Sequence, residues 1–469
     1  MVFSSLIFLF SFLPIVLLLY YVWLNRDWQN LVLLTASLYF YAWGEKEKVF
    51  VMIGSILLNY LIGKWIENNQ QLNKKKLYLT IGIVVNLGVL VYFKYSKFFI
   101  DILNQILELV GFPIIEGIRF EKLPIGISFY TFQSISYLID VYRKEVKAQK
   151  NIINLGLYIA LFPQLIAGPI VRYSSISNQL KNRLGTLHDF NEGVKRFIIG
   201  LGKKMLIANP IALFVDEVLF LPPDELSFSL TWIAIIGYSL QIFFDFSGYS
   251  DMAIGLGRMF GFKFPENFNF PYISRSIKEF WTRWHISLSV WFRDYLYIPL
   301  GGNRSGELLT IRNLIIVFFI TGLWHGASWS FIVWGLFHGA FMLLERLGWS
   351  KILNKLPKVI SNLYTLLVVV FAWVFFRMEN IEDAFTLQKT MLGIGNNQPT
   401  YVLEVFVNNY FWFVFSLGIL FSIPIKLDFV TARLRNNAWL MNTFLFVILV
   451  LSISELANNT YNPFIYFRF

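Results

Sequence analysis

Residues 313 to 345 read NLIIVFFITGLWHGASWSFIVWGLFHGAFMLLE, a stretch of roughly thirty residues almost free of charge. About 20 apolar residues cross the hydrocarbon core of a bilayer as a helix, so a run this long and this apolar belongs to a membrane and not to a soluble core. Comparable runs recur near residues 3 to 24, 29 to 43, 49 to 65, 77 to 93, 152 to 170, 194 to 220, 229 to 249, 361 to 376, 409 to 425 and 438 to 454. Shorter or Gly/Pro-broken stretches at 98 to 113, 123 to 139 and 280 to 300 read as interfacial or re-entrant helices. Non-helical backbone at membrane depth survives only inside protein or beside a watery cavity. The expected fold class is therefore all-α: a polytopic membrane protein with about 11 to 12 spanning helices, plus re-entrant and interfacial helices.

Composition agrees with that architecture. Over 469 residues, 56% are hydrophobic, 19% aromatic and only 15% charged. The chain reads as one membrane domain over residues 1–469, with a short aromatic C-terminal tail at 457–469. The net charge of +11 does not point to nucleic acid, because the Lys and Arg residues fall mostly in short segments between apolar runs. The chain has no cysteine, which excludes disulfides, thiolate nucleophiles and Cys-ligated metals. The N-terminus MVFSSLIFLFSFLPIVLLLYYVWL lacks a charged leader and a small-residue cleavage site, so it reads as a retained first helix.

Loop charge sets an orientation. Arg26 precedes the second run, the loop Glu45, Lys46, Glu47 and Lys48 sums to zero, and Lys74, Lys75 and Lys76 follow the third. Lys426, Arg433 and Arg435 against Asp428 mark another inside loop before the last run. Positive-inside then places both termini outside, with Lys94 and Lys97 running against the assignment.

His325 lies in the middle of the opening run, between Trp324 and Gly326. An ionisable residue inside a membrane span is costly and points to function. A shielded imidazole is suited to general base chemistry. Gly322, Gly326 and Ala327 remove bulk around it, which serves close approach of a substrate and close packing of a helix equally well. His338 follows thirteen residues later, about 20 Å away along a continuous helix, and His188 lies in a polar loop. No compact ligand spacing such as HExxH is present, so no metal site is expected.

The segment RSIKEFWTRWHISLSVWFRDYLYIPLGGNR, from Arg275 to Arg304, carries Trp281, Trp284, Leu288, Trp291 and Tyr295 at spacings of three and four. That spacing places them on one helical face, as in an amphipathic interfacial helix. His285 and the pair Arg293 and Asp294 interrupt the aromatic pattern and suggest a polar seam facing a cavity. Pro124, Pro163 and Pro169 beside Gly126 and Gly168 break the segments that carry them. The stretch QIFFDFSGYSDMAIGLGRMFGF adds Asp245, Ser247, Tyr249 and Asp251 to the polar group, and its glycines form no phosphate loop.

Several of these pieces, in order, resemble one family. MVFSSLIFLFSFLPIVLLLYY, PIGISFYTFQSISYLIDVYR, FPQLIAGPIVRY, FSGYSDMAIGLGRMFGFKFPENFNFPY, EFWTRWHISLSVWFRDYLYIPLGGNR and GLWHGASWSFIVWGLFHG look like the membrane-bound O-acyltransferases. The similarity is to the branch of alginate O-acetylases and teichoic-acid D-alanyltransferases, and it runs from the N-terminus to about residue 345, resuming at the C-terminus. The resemblance implies helices ringed around a central funnel, His325 as the essential membrane histidine and His285 as its companion. It also implies an acyl donor thioester on the cytoplasmic side, acetyl-CoA or an acyl carrier protein, with no permanently bound cofactor. An acceptor hydroxyl and a partner acyltransferase would lie outside the bacterial cytoplasmic membrane, with membrane lipids around the chain.

The chain ends NPFIYFRF, an aromatic tail that by itself reads as an interfacial anchor. In the branch it resembles, a terminal motif of this kind implies that Tyr466 carries the acyl group on its phenol oxygen. The expected activity is acyl transfer, acetyl before D-alanyl, to an exported or surface glycopolymer. Intramembrane charges would also serve a secondary transporter or flippase, although no inverted repeat is visible.

Overall fold

The computed structural model of the chain describes residues 1–304, 306–394, 399–424, 437–458 and 461–465. The basic loop at Lys426, Asp428, Arg433 and Arg435 and the tail residue Tyr466 lie outside the described residues. Among the described residues the regular structure is helical, apart from one isolated bridge between Leu226 and Tyr401. Helices of seven residues or more are α1 (Leu13–Val22), α2 (Arg26–Glu45), α3 (Val49–Asn68), α4 (Leu72–Leu109), α5 (Ile127–Tyr142) and α6 (Ile152–Ala160). They continue with α7 (Leu187–Gly202), α8 (Asn209–Val218), α9 (Phe228–Met259), α10 (Ile277–Arg283), α11 (Ile286–Phe292) and α12 (Glu307–His325). The last are α13 (Trp329–Leu344), α14 (Lys358–Arg377), α15 (Ile381–Met391), α16 (Asn409–Phe421) and α17 (Ala438–Asn458).

Polar residues just outside the apolar runs start many of these helices. Asn25, Asn151, Ser276, Ser328, Asn380 and Asn408 each accept a backbone N–H of the first turn through the side chain. Such caps satisfy donors that would otherwise be orphaned at the helix start. Among the described residues, eight helical stretches are long and apolar enough to cross a membrane. One of them, Arg26–Asn68, consists of α2 and α3, joined by the 3-10 turn Lys46–Lys48. Two shorter apolar helices, Phe8–Val22 and Asn409–Phe421, accompany them.

The chain divides into two compact units, Met1–Gly193 with Leu256–Pro265 and Val194–Gly255 with Glu266–Phe469. In the first, α3 packs on α4, α5 and α6, and α2 packs on α6. Asn59 of α3 and Asn86 of α4 donate to one another's carbonyl oxygens at 3.1 and 2.9 Å, a closed carboxamide pair that leaves neither helix with an unsatisfied polar group at depth. In the second unit, α12 packs along α13, α13 packs on α14, and α10 rests on both α13 and α14.

Four sequence expectations need correction. The run at 152 to 170 is not a spanning helix: α6 ends at Ala160, and Pro163 opens a single further turn, Phe162–Leu165. Proline's missing N–H and fixed φ favour that restart. Residues 98 to 109 form no separate re-entrant piece, because α4 continues without interruption to Leu109. The Trp281-to-Tyr295 stripe does not lie on one helix, because the chain breaks at Trp284 and His285 between α10 and α11. The run at 313 to 345 is likewise two helices, broken after His325.

Candidate active site

His325 is the last residue of α12, and the chain turns back at Gly326, Ala327 and Ser328 before α13 begins. Glycines make the hairpin possible. A Cβ at Gly326 would run into the Phe331 ring, and one at Gly322 into the Phe331 carbonyl. A Cβ at Gly335 would meet the Phe318 carbonyl and the Gly322 backbone. Residues 318 and 322 on α12 thus lie against 335 and 331 on α13, which makes the pair antiparallel with backbones in contact.

The imidazole of His325 is 2% exposed. Among the described residues, the rings that enclose it are Trp324 at 4.9 Å between centroids, Trp334 at 4.8 Å and Phe376 at 5.2 Å, all edge-on. Trp334 also lies 5.2 Å from His338, so the separation expected along one continuous helix does not apply. The fold-back places both histidines against the same indole.

His285 caps α11 from a left-handed backbone conformation, φ 44°, which is unfavourable for any residue with a Cβ. Asn267 holds the turn. Its carbonyl oxygen accepts the Ile286 N–H at 3.0 Å, while its side-chain Oδ1 accepts the Ser287 N–H at 3.2 Å and the Ser287 hydroxyl at 2.8 Å. The same Oδ1 lies 3.2 Å from His285 Nδ1, and Asn267 Nδ2 donates to Ser250 Oγ at 3.1 Å. An amide oxygen only accepts, so Nδ1 carries the proton and Nε2 the lone pair. Full burial pushes the His285 pKa down to about 3, which keeps the ring neutral.

Trp324 joins the two imidazoles. Its ring lies 6.1 Å from His285 and 4.9 Å from His325. Phe246, next in sequence to Asp245, lies 4.7 Å from His285. Asp245 makes an ion pair with Lys204 at 2.7 Å, and Tyr249 stacks on Phe464 of the tail. The pair Arg293 and Asp294 follows α11 on a π turn, with the guanidinium 58% exposed and bonded to its own neighbour at 2.7 Å.

Sequence reasoning passed over several residues that build the site. Lys204 had a signal, since it sits inside the apolar run at 194 to 220 where a lysine is costly. The Lys203–Ala208 segment is a π turn between α7 and α8, and Lys203 pairs with Asp251 at 2.6 Å. Asn267 and Trp334 gave no such signal. Glu345 is 4% exposed and accepts the Ile277 and Lys278 N–H groups at 2.6 and 3.1 Å, anchoring the start of α10.

Comparison with known proteins bears on this site. A model of the membrane-bound O-acyltransferase family matches residues 38–382. A probable alginate O-acetylase AlgI of Azotobacter vinelandii is 46% identical over 84% of this chain and 79% of its own length. A peptidoglycan O-acetyltransferase of Helicobacter pylori is 38% identical over 84% of this chain and 80% of its own. A teichoic acid D-alanyltransferase of Bacillus subtilis is 30% identical over 52% of this chain and 64% of its own.

Proposed function

The chain belongs to the membrane-bound O-acyltransferase family, and from that premise we propose that it moves an acetyl group from a cytoplasmic thioester to a surface or exported glycopolymer. The protein is a polytopic membrane O-acyltransferase, which sets aside the transporter or flippase reading. Acetyl-CoA or an acyl carrier protein is the donor in this proposal, and a partner acyltransferase outside the bacterial cytoplasmic membrane is the receiver. Both termini then face outward, as the loop charges favour. Acetyl is preferred over D-alanyl because the acetylating relatives are more similar, and over more of the chain, than the D-alanylating one.

One observation carries the assignment: His325 is buried in an aromatic cage at a helix end, with neutral His285 across the Trp324 ring. Attack of a hydroxyl on a thioester needs a base and a pocket that keeps water from the donor. His325 takes the proton from the attacking oxygen. The new C–O bond forms as the C–S bond breaks, and the proton passes from His325 to the departing thiolate.

The first acceptor in this reading is the Tyr466 phenol. The tail supports it: Ile465, the residue before Tyr466, donates its N–H to Asp245 at 2.9 Å, and Phe246 beside Asp245 lies against His285. A phenol has a pKa of about 10, well below that of a sugar hydroxyl, so its ester is activated for onward transfer. A nucleophilic hydroxyl of the partner acyltransferase then attacks the aryl ester, the new C–O bond forms as the phenolate leaves, and the proton of that hydroxyl passes to the phenolate.

Intact-mass measurement of the full chain in vesicles, incubated with acetyl donor, tests the reading. The expected result is an acetyl adduct that is lost in Tyr466→Phe and in His325→Ala. Absence of any adduct during turnover would overturn the tyrosine step. Undiminished surface acetylation by His325→Ala at normal protein level would overturn the base.

A further inference from the structure

The described C-terminal residues 461–465 rest in a built site of the second unit. Lys204 and Asp245 pair with side chains each 3% exposed. Removing two charges from water is repaid only when further hydrogen bonds satisfy them. Both find such bonds in the tail's main chain. Asp245 Oδ2 accepts the Ile465 N–H at 2.9 Å, and Lys204 Nζ donates to the Pro463 carbonyl. Phe464 lies between these two residues, stacked on Tyr249 at 4.7 Å and 5.7 Å from the Lys204 ammonium. Upstream, Asn209 Nδ2 donates to Asn462 at 3.2 Å. The Tyr461 hydroxyl donates to Asp216, whose other oxygen accepts from Arg377 at 3.0 Å.

The approach of two helices puts the pair in place. A Cβ at Gly200 of α7 would meet the Gly248 carbonyl, and one at Gly248 of α9 would meet the Gly200 carbonyl. This crossing brings the lysines at 203 and 204 against Asp251 and Asp245.

We infer that Lys204 and Asp245, with Asp216 and Asn209, form a clasp that seats residues 461–465 and holds the chain as far as Ile465. The purpose of the clasp rests on the reading of Tyr466 as acyl carrier, while its existence does not. Lys204 and Asp245 are positioning residues. Consecutive Cα atoms are about 3.8 Å apart, so while the clasp is closed a carrier joined directly to Ile465 has one peptide of reach. The acyl group is then not carried outward on a swinging arm. The acceptor hydroxyl has to be delivered to a stationary ester.

The cysteine-free sequence offers a direct test. Ile465→Cys introduces a single thiol, whose labelling by a water-soluble maleimide in the purified full-length chain reports tail release. Labelling should be slow in this background. It should be at least tenfold faster after Asp245→Ala or Lys204→Met, and faster by a smaller factor after Tyr461→Phe. A parallel Ala384→Cys series, at a position 0% exposed, reports whether the unit stays folded. Where that thiol becomes reactive in the Asp245 or Lys204 variant, the Tyr461→Phe comparison decides. Equal labelling at position 465 in all backgrounds would overturn the clasp. Clasp-dependent protection without any adduct on Tyr466 would sink the carrier reading and leave the clasp standing.

Discussion

Asn267→Ala removes a side chain that holds His285 Nδ1, and the structure sets the size of the effect. The carboxamide makes four buried hydrogen bonds, to His285 Nδ1, the Ser287 N–H, the Ser287 hydroxyl and the Ser250 hydroxyl. At about 1 kcal/mol net for each, discounted because three share one oxygen, the variant loses about 3 kcal/mol of stability. The left-handed backbone at His285 also loses two of its restraints while keeping the Ile286 bond to the Asn267 carbonyl. Without an acceptor for Nδ1, the ring samples both tautomers and several orientations. A loss of about 1.4 to 2.8 kcal/mol in orientation lowers acetyl transfer about 10- to 100-fold. Asn267→Asp keeps the acceptor and should recover much of that loss. Its carboxylate favours the imidazolium, so its activity should also shift in pH relative to the parent. The assay is transfer of labelled acetyl groups by vesicle-reconstituted variants across a pH series, with a thermal midpoint for each. An Asn267→Ala protein with parental turnover and parental midpoint would refute the assignment of Asn267 as the residue that orients His285.

Two further outcomes follow from the same geometry. The folded-state pKa of His285 lies below its unfolded value of about 6.5, so the unfolded chain binds more protons as pH falls and stability is lost in that direction. The contribution is fully present above about pH 6.5, and by pH 5 the parent should lose about 2 kcal/mol that His285→Asn, which tolerates the left-handed turn, does not lose. A pH-dependence of the denaturation midpoint equal in both proteins would contradict the burial argument. Gly335→Leu should prevent assembly of the α12–α13 hairpin, since the new side chain meets the Phe318 carbonyl and Gly322 backbone, neither of which is a flexible side-chain end. Overpacking of this kind costs about 1 to 3 kcal/mol or more. The check is the yield of monodisperse protein on size exclusion, and a parental yield would count against the close crossing.

The long apolar runs made the membrane class and most helices legible, because hydrocarbon leaves the chain few alternatives and the runs report length directly. The breaks were harder to place. Gly326 and Ser328 look the same in sequence whether they sit inside a helix or in a reversal, and only the packing of Phe331 against Gly322 and Gly326 settles it. His285 was visible as a polar interruption of aromatic sequence. Its orienting partner was not, because Asn267 lies eighteen residues away in a loop. Lys204 was readable as an intramembrane charge, yet its partners were not: Asp245 comes from another helix and Pro463 from the far end of the chain. Tertiary contacts of this range leave no periodic trace.

The two imidazoles both occupy helix ends, and their surroundings divide the labour between them. His325 ends a nineteen-residue helix. The carbonyls of a helix's last turn carry partial negative charge, and a positive charge developing beside them is stabilised. A base that becomes an imidazolium as it takes a proton is well placed at that end. His285 has no such support. It starts a helix, is fully buried, and is held with Nδ1 as a donor by an amide oxygen that accepts hydrogen bonds but takes up no proton. In the proposed mechanism this neutral ring orients a hydroxyl and does not carry charge. The proton is therefore assigned to His325 in that mechanism. Replacing His285 with a residue that only accepts should be less damaging than any replacement of His325, and the acceptor geometry at Nε2 is what such a replacement has to reproduce.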